Sequence, residues 1–296
     1  MGVYMEKIDI TASDGLVLKA LYSKAENPKA VVVIVHGMVE HKERYIPFIE
    51  ELNKNNFSAI IADLRGHGES INEEYSLGRI ASINQMVDDT NKVVEYIKKH
   101  NPSLEVYMFA HSMGTLVARM YIRSYSTSIN KLALSGTVAY MPGCWLGVFM
   151  AKLKSSKKNK NKYSKLLYAM SNNGSTKEDI SWISYNEENI KNYNDDPLCG
   201  YKFTNYSNYI LFSMTYKLHK HSKLNICNPD LKIMSFSGKD DRTTRGTKGV
   251  KDSIKHLMFD GYNKLSYKEY PNMKHEILNE NDWKIVSDDI IKFFED

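Results

Sequence analysis

The sequence has few of the features that mark membrane-spanning, secreted or metal-binding proteins. No apolar run approaches the roughly 18 residues needed to cross a bilayer. Its three cysteines, Cys144, Cys199 and Cys227, have no metal-ligand spacing, and their odd number favours reduced thiols over a disulfide framework. The N-terminal residues lack the basic segment, apolar stretch and cleavage site of a secretory signal. We therefore expect a cytoplasmic protein without a metal site.

The sequence also has only a small excess of charge of one sign. Against 35 acidic residues stand 40 basic ones, a formal net charge of +5, and no helix-turn-helix, zinc-finger or RNA-platform pattern accompanies this excess. No nucleic-acid partner is predicted. The 42% hydrophobic fraction and the length of 296 residues instead predict an ordinary globular protein with a large buried core.

Strand and helix patterns alternate along most of the chain. An Asp-Gly turn signal joins two short predicted strands at residues 6–11 and 16–22. The β-branched run "AVVVIV" at 30–35 predicts a strand buried on both faces, as in a parallel sheet covered by helices. Further strands are predicted at 57–63, 106–110, 131–136, 231–238 and 264–270, with helices near 44–53, 80–99, 248–259 and 282–294 and one directly after residue 112.

This alternation stops between residues 137 and 229, where helical and irregular patterns replace strands. Strands that alternate with helices imply crossover connections and a doubly wound, mostly parallel sheet. We therefore predict an α/β protein whose core is formed by residues 1–136 and 230–296. Residues 137–229 are predicted to form an inserted, mostly helical cap.

A serine stands between small residues where a predicted strand meets a predicted helix. Residues 110–114, Ala-His-Ser-Met-Gly, come close to the nucleophile-elbow pattern G-x-S-x-G, with alanine in place of the first glycine. Small flanking residues in that pattern allow a strained turn that exposes the serine oxygen. The motif is short enough to arise by chance, and Ser112 could equally be a helix N-cap. The neighbouring loops have to decide between these interpretations.

Other reactive side chains are predicted at the same edge of the sheet. In a doubly wound sheet, ligands and reactive groups lie beyond the carboxyl ends of the strands. Three such ends carry Ser112, the adjacent Asp240 and Asp241, and His275. Nucleophile, acid and base therefore occur in the chain order used on this fold. This agreement favours a catalytic Ser112, while spacing alone leaves open which aspartate is the acid.

A fourth strand end predicts the groups that stabilise a developing oxyanion. The sequence His36-Gly37-Met38 follows the strand at 30–35, and a glycine there lets the backbone approach a substrate closely. We expect the backbone N–H groups of Met38 and Met113 to form an oxyanion hole.

Five segments carry a resemblance to a known family: "VHGMVEHKERY" at 35–45, "DLRGHGES" at 63–70, "AHSMG" at 110–114, "SGKDDR" at 237–242 and "KHEILNE" at 274–280. On these segments the chain resembles the α/β-hydrolase superfamily, and more narrowly serine hydrolases similar to monoglyceride lipase and lysophospholipase. The cap segment "DDPLCGYKFT" at 195–204 resembles bacterial members. The resemblance implies the α/β-hydrolase fold and an acyl-enzyme mechanism. It also implies Asp241 as the acid, because the fourth residue of "GKDD" aligns with the family's acid.

Several other polar residues receive structural interpretations. Loop histidines such as His36 and His41 more often hold backbone groups than react. The turn containing Asp63, Arg65 and His67 is expected to support the structure, and Glu280 is expected to be a helix-start carboxylate.

The predicted cap contains two apolar segments and a basic one. The segments "CWLGVFMAKL" at 144–153 and "YILFSMTYKL" at 209–218 suit either an acyl-binding wall or ordinary packing within the cap. Lys152 to Lys165 hold seven lysines and no acidic residue. This run is either a solvated loop or a peripheral contact with an anionic membrane, where lipid substrates reside.

The resemblance implies a monoacylglycerol lipase or a lysophospholipase-type esterase that needs no metal or organic cofactor. A lipid or other ester is then the small-molecule substrate. A small-ester carboxylesterase or a peptidase of the same fold stays open, because a triad specifies neither the acyl group nor the leaving group. A non-catalytic binding protein is the alternative from another class, since fold does not imply function.

Overall fold

The computed structural model describes residues 4–172, 179–220, 224 and 226–296. Its strands are β1 (Glu6–Thr11), β2 (Val17–Ser23), β3 (Ala30–Val35), β4 (Phe57–Ala62), β5 (Glu105–His111), β6 (Lys131–Ser135), β7 (Lys232–Gly238) and β8 (Leu265–Tyr270). They form one sheet in the order β1-β2-β4-β3-β5-β6-β7-β8. The pairs β1–β2 and β2–β4 are antiparallel, and all other neighbours are parallel. The predicted α/β class and mostly parallel sheet are confirmed.

Helices follow most of the parallel strands, as crossover connections require. They are α1 (Ile46–Lys54), α2 (Ile83–His100), α3 (Met113–Tyr125), α4 (Cys144–Lys154), α5 (Lys165–Ser171), α6 (Glu187–Asp195), α7 (Asn205–His219), α8 (Gly246–Asp260) and α9 (Trp283–Glu295). The helix predicted from residue 80 begins at Ile83, because Ser82 adopts an extended conformation and its hydroxyl caps the backbone N–H of Gln85. None of the helices within the described residues is both long and apolar enough to span a bilayer.

The central strand β3 shows why the sheet is covered on both faces. All six of its residues are buried. Val31, Val33 and Val35 belong to the hydrophobic cluster that includes residues of α2 and α3. Val32 and Ile34 point the other way, into the cluster that includes residues of α1 and α9. Because successive side chains of a strand alternate between faces, one apolar run supplies both cores.

The segment between β6 and β7 is built differently from the rest of the chain. It contains α4, α5, α6 and α7, and no strand occurs among its described residues. α4 packs against α7, and α7 in turn packs against the core helix α3. The assignment of residues 137–229 to a cap stays a prediction, and residues 173–178, 221–223 and 225 of that range lie outside the described residues.

Candidate active site

Ser112 occupies a strained turn between β5 and α3. Its backbone has φ 51° and ψ −120°, a conformation that a residue with a side chain rarely adopts. Its N–H donates to the Ser135 carbonyl oxygen at 3.0 Å, which ties the turn to the end of β6. The side chain of Ser112 makes no capping hydrogen bond to α3. The turn therefore directs the hydroxyl away from the helix backbone.

A glycine two residues later lets α3 approach the sheet. A Cβ atom at Gly114 would lie 2.3 Å from the Val35 carbonyl oxygen and 2.6 Å from that of His36, both too short for any real contact. The helix could not reach this position with a larger residue. Ala110, which replaces the first glycine of the pattern, is fully buried within β5, so its methyl group packs in the core.

The hydroxyl of Ser112 joins a hydrogen-bond chain that spans three strand ends. Ser112 Oγ lies 2.8 Å from His275 Nε2, and His275 Nδ1 lies 2.9 Å from Asp241 Oδ2. His275 and Asp241 are 3% and 2% exposed. An ionised carboxylate can only accept, so Nδ1 carries the proton and Nε2 is left to accept from the serine. This arrangement can activate a serine nucleophile.

Asp241 is ionised and His275 is more basic than a free imidazole. Burial raises the pKa of Asp241, but the charge and hydrogen bond of His275 and the Thr243 N–H bring it below its usual value. Burial alone would lower the pKa of His275, but the charge and hydrogen bond of Asp241, together with smaller effects of Glu276 and Glu40, raise it. The pair therefore favours the cationic imidazole that forms when a serine is deprotonated.

The two adjacent aspartates have different environments. Asp241 is buried, and its second oxygen Oδ1 accepts from the Thr243 N–H at 2.7 Å. Asp240 is exposed, and its carboxylate accepts from the Tyr185 hydroxyl at 3.1 Å. Of the two, Asp241 is the one hydrogen-bonded to His275.

The loop predicted to form an oxyanion hole lies beside Ser112. A Cβ atom at Gly37 would lie 3.0 Å from the Ser112 Cβ, so only a glycine allows so close an approach without a shift. Met38 and Met113 line the same cavity as Ser112. Both residues predicted as donors therefore line the cavity that contains Ser112, and the role of their N–H groups stays a prediction.

A cavity of about 470 Å³ opens over Ser112. Its lining is mainly apolar and comes from both predicted cap segments, with Cys144 and Gly147 from α4 and Leu211 and Phe212 from α7. Other side chains of the same segments do not reach the cavity: Met214 and Leu218 are buried in packing, and Trp145, Leu146, Phe149 and Leu153 are exposed. The two apolar segments thus contribute to the wall, to cap packing and to the surface.

The two histidines of the loop that follows β3, His36 and His41, have structural partners. His36 Nε2 accepts from the Leu64 N–H at 2.8 Å, and its Nδ1 lies 2.8 Å from the Gly37 carbonyl oxygen. Burial lowers the pKa of His36, so the ring is neutral. His41 lies between the carboxylates of Glu43 and Asp196, and despite burial its hydrogen bonds raise its pKa to about 11. His41 is therefore a permanent cation that holds the Asp196 region on the core.

The turn at 63–67 also supports the structure. Asp63 accepts from both the backbone N–H and the Nζ of Lys42, at 2.8 and 2.7 Å. Arg65 pairs with Asp14 and Asp89. Burial lowers the pKa of His67 to about 3, so it is neutral. These contacts agree with the structural interpretation of the turn.

The expectation for Glu280 is wrong. It is not in the first turn of α9, where no acidic residue occurs. Its buried carboxylate accepts from the Lys274 N–H at 2.7 Å and from the Ser184 hydroxyl and the Tyr185 N–H, both at 2.8 Å. Glu280 therefore holds the loop of His275 against residues 184–185, a contact that no local pattern indicates.

Sequence reasoning also missed residues around His275. The Trp182 ring lies 5.2 Å from the His275 ring and lines the cavity. Glu40, Arg44 and Glu276 form a largely buried charge cluster between the predicted oxyanion loop, residues 36–41, and the His275 loop. For the charged residues, the sequence offered one signal: they lie close in the chain to the predicted site residues Met38 and His275.

Comparison with known proteins finds a matching family model and related sequences. The family model described as "serine aminopeptidase, S33" matches residues 26–282. Monoglyceride lipase of Rattus norvegicus is 25% identical over 292 residues, which cover 95% of this chain and 90% of that protein. Lysophospholipase L2 of Escherichia coli (strain K12) is 26% identical over 153 residues, half of this chain and 44% of that protein.

Solved structures share the whole architecture. A carboxyl esterase from Bacillus coagulans superposes with a TM-score of 0.84 at 23% identity, covering all of this chain and 98% of that one. A monoacylglycerol lipase from Paleococcus ferrophilus superposes with a TM-score of 0.72 at 21% identity, covering 99% and 98%. At these identities the likeness shows the fold, and the predicted α/β-hydrolase fold is confirmed.

Proposed function

The chain belongs to the serine aminopeptidase S33 family and is a carboxylic ester hydrolase of the lipase and lysophospholipase type; we propose that it cleaves long-chain monoesters, first among them monoacylglycerols. One observation carries the proposal. The hydrogen-bond chain from Asp241 through His275 ends at the Ser112 hydroxyl, and that hydroxyl lies on the floor of a mainly apolar cavity of about 470 Å³.

The proposed reaction begins with acyl transfer to Ser112. His275 Nε2 takes the serine proton as Oγ attacks the ester carbonyl, and then gives that proton to the departing alcohol. Asp241 keeps the imidazole in the required tautomer and stabilises its cationic form. Water then attacks the acyl-enzyme by the same route, releasing the fatty acid and restoring Ser112.

The N–H groups of Met38 and Met113 are proposed to bind the oxyanion of each tetrahedral intermediate. Loss of one such donor typically costs about 3 kcal/mol of transition-state stabilisation. The position of Met113 as the first residue of α3 supports this role, because N–H groups in the first turn of a helix have no partner within the helix.

The size and lining of the cavity favour a long acyl chain. Small-molecule sites commonly enclose about 300–1,000 Å³ and are lined mainly by apolar groups, and this cavity falls within both descriptions. A short ester would leave much of it empty. The rat relative is named for monoglyceride hydrolysis, which agrees with a neutral long-chain monoester.

A lysophospholipid is the second candidate substrate. Arg242 and Arg245 line the cavity, and within the described residues neither guanidinium forms an ion pair with a carboxylate. Guanidinium groups bind phosphate through paired, charge-assisted hydrogen bonds. An assay that compares lysophosphatidylglycerol with the matching monoacylglycerol, in wild type and in Arg242→Gln, distinguishes these candidates.

We also propose that the cap contacts an anionic membrane. The exposed face of α4 carries Trp145, Leu146, Phe149 and Leu153, and the lysine run from Lys152 to Lys165 begins at its end. Apolar side chains flanked by cations are typical of helices that lie at a lipid interface. Vesicle sedimentation tests this membrane contact. Equal binding of the wild type and a multi-Lys→Gln variant to anionic vesicles would refute the proposal.

The decisive experiment for the function is covalent labelling with a fluorophosphonate. We expect labelling of the wild type and none of Ser112→Ala. A panel of monoacylglycerols, lysophospholipids, short esters and aminoacyl amides, compared by kcat/KM, then identifies the substrate class and separates an esterase from a peptidase. A wild type that is unreactive but binds a lipid would instead indicate a non-catalytic binding protein.

A further inference from the structure

Three charged side chains lie together beside the His275 loop: the buried Glu40 and Glu276 and the largely buried Arg44. Arg44 Nη1 donates to Glu40 Oε2 at 2.8 Å. The same guanidinium donates to both oxygens of Glu276, at 2.8 and 2.6 Å. The Glu40 and Glu276 side chains are 4% and 6% exposed. Removing charged groups from water carries a large free-energy cost, so this cluster gives little stability that apolar packing could not give.

Each carboxylate of the cluster is attached to a different part of the active site. Glu40 Oε1 accepts from the Gly37 N–H at 2.5 Å, and Gly37 directly precedes the predicted donor Met38. Glu276 directly follows His275, and its own N–H donates to the Ile183 carbonyl oxygen at 2.8 Å. Arg44 therefore connects the oxyanion loop to the loop of the base through two buried ion pairs.

Helix α6 contacts the same cluster through Asn189 and through the Tyr193 ring, whose centroid lies 4.9 Å from Arg44 Cζ. Asn189 Oδ1 accepts from Arg44 Nη2 at 3.0 Å, and Asn189 Nδ2 donates to Glu276 Oε2 at 2.7 Å. An amide is suited to this position because it can donate to the carboxylate and accept from the guanidinium at once. The position of α6 is therefore linked to the oxyanion loop and to the loop of His275.

The cluster also carries an excess of negative charge. Two carboxylates face one guanidinium, and the formal sum is −1. The ionisable groups that face His275 are Asp241 from the loop after β7, His111 at the end of β5, Glu40 from the loop after β3, and Glu276 beside it in the chain. Arg44 reaches His275 only through the two glutamates and also acts on His111. Burial and the nearby His275 lower the pKa of His111 to about 4, so it is neutral and does not cancel this charge.

We propose that Glu40, Arg44 and Glu276 form a positioning unit for the reaction: they hold the oxyanion loop in register with His275, and their excess negative charge stabilises the imidazolium that forms as Ser112 attacks. This inference rests on the proposed function of the Ser112 site. The unit acts through His275 and Gly37 and does not touch the reacting atoms. The electrostatics agree, because both Glu276 and Glu40 act to raise the pKa of His275, after the opposing effect of burial and the larger effect of Asp241.

The test variant is Glu276→Gln, which keeps the shape and one acceptor oxygen but removes the charge. Without that charge, the pKa of His275 falls, so the acid limb of the kcat/KM profile moves to lower pH. At the plateau we expect kcat to fall about tenfold with KM little changed, since the lost interaction is greatest in the transition state. A merely structural role would lower the melting temperature and leave the acid limb in place.

The matched control is Asp195→Asn, which also replaces an acid by its amide. Asp195 lies on α6 and pairs with Lys191 at the surface, away from the cluster. We expect its pH profile and kcat to match those of the wild type. Asn189→Asp serves as a second variant should Glu276→Gln fold poorly, because it adds a negative charge at the same cluster and should move the acid limb to higher pH.

The same shift should appear in the pH dependence of fluorophosphonate labelling, which needs no ester substrate. A labelled and active wild type with an unchanged acid limb in both variants would overturn this inference and leave the proposed function intact. A wild type that neither labels nor cleaves any ester of the panel would overturn both.

Discussion

Replacing Asp241 by asparagine tests the hydrogen-bond chain most directly. The substitution keeps the size of the side chain and removes its charge. In the structure Asp241 Oδ1 accepts from the Thr243 N–H, and Oδ2 accepts from His275 Nδ1. An asparagine will keep its carbonyl oxygen on the Thr243 N–H, because an amide nitrogen there would face a donor. Its NH₂ group must then point at His275.

That orientation reverses the proton arrangement of the histidine. The asparagine NH₂ can only donate, so His275 Nδ1 becomes the acceptor and the ring proton moves to Nε2. The protonated Nε2 then faces the Ser112 hydroxyl and cannot take its proton. A wrong tautomer of this kind costs about 10⁴ in kcat, equivalent to about 5.5 kcal/mol.

The assay is kcat/KM on a long-chain monoester, with circular dichroism to confirm that the variants fold. Asp240→Asn is the matched control, because it makes the same change one residue away on an exposed carboxylate bonded to Tyr185. We expect Asp240→Asn to retain most of the activity. Full activity of Asp241→Asn, or a larger loss in Asp240→Asn, would refute the assignment of the acid.

Three further predictions use other parts of the site. Gly114→Ala should lower the melting temperature and the fluorophosphonate labelling rate, because the added Cβ would lie 2.3 Å from the Val35 carbonyl oxygen. Thermal melts and labelling kinetics measure both. A variant with the melting temperature and labelling rate of the wild type would contradict this close approach. The acid limb of the kcat/KM profile should lie above pH 6.5, because the pKa of His275 is raised and the base must be neutral to act. A limb below pH 6.5 would count against the negatively charged environment of His275. Gly147→Val should reduce kcat/KM for esters of about 16 to 18 carbons at least about tenfold relative to butyrate. The reason is that the valine side chain would fill the cavity near Phe212 and Met170. Equal losses for both chain lengths would show that Gly147 does not limit acyl length.

Local patterns were sufficient for much of the fold and for where the reactive residues stand in the chain. The run at β3 is apolar throughout and β-branched after Ala30, which favours a strand covered on both faces. Ser112, Asp241 and His275 each follow a strand end, and parallel strands place those ends at one edge of the sheet. These conclusions needed no long-range contact, because period and chain order carry them.

Neighbouring residues with the same chemistry could not be distinguished in this way. Asp240 and Asp241 are adjacent and identical in type, and which of them meets His275 depends on a hydrogen bond across 34 positions. Glu280 illustrates the opposite error, since its place before a helix suggested a role in that helix, whereas its carboxylate joins the nearby Lys274 N–H to Ser184, 96 positions away in the chain.

By itself the sequence determined the α/β class, the strand ends that Ser112, Asp241 and His275 follow, and the apolar character of the segments that contribute to the cavity. The tertiary structure alone decided which aspartate is buried against His275, which apolar side chains line the cavity and which face solvent, and how Arg44 joins two loops and α6. The physical reason is the distance along the chain over which each kind of interaction acts. Periodicity and backbone preference act over a few residues, whereas hydrogen bonds and ion pairs between distant segments exist only once the chain has brought them together.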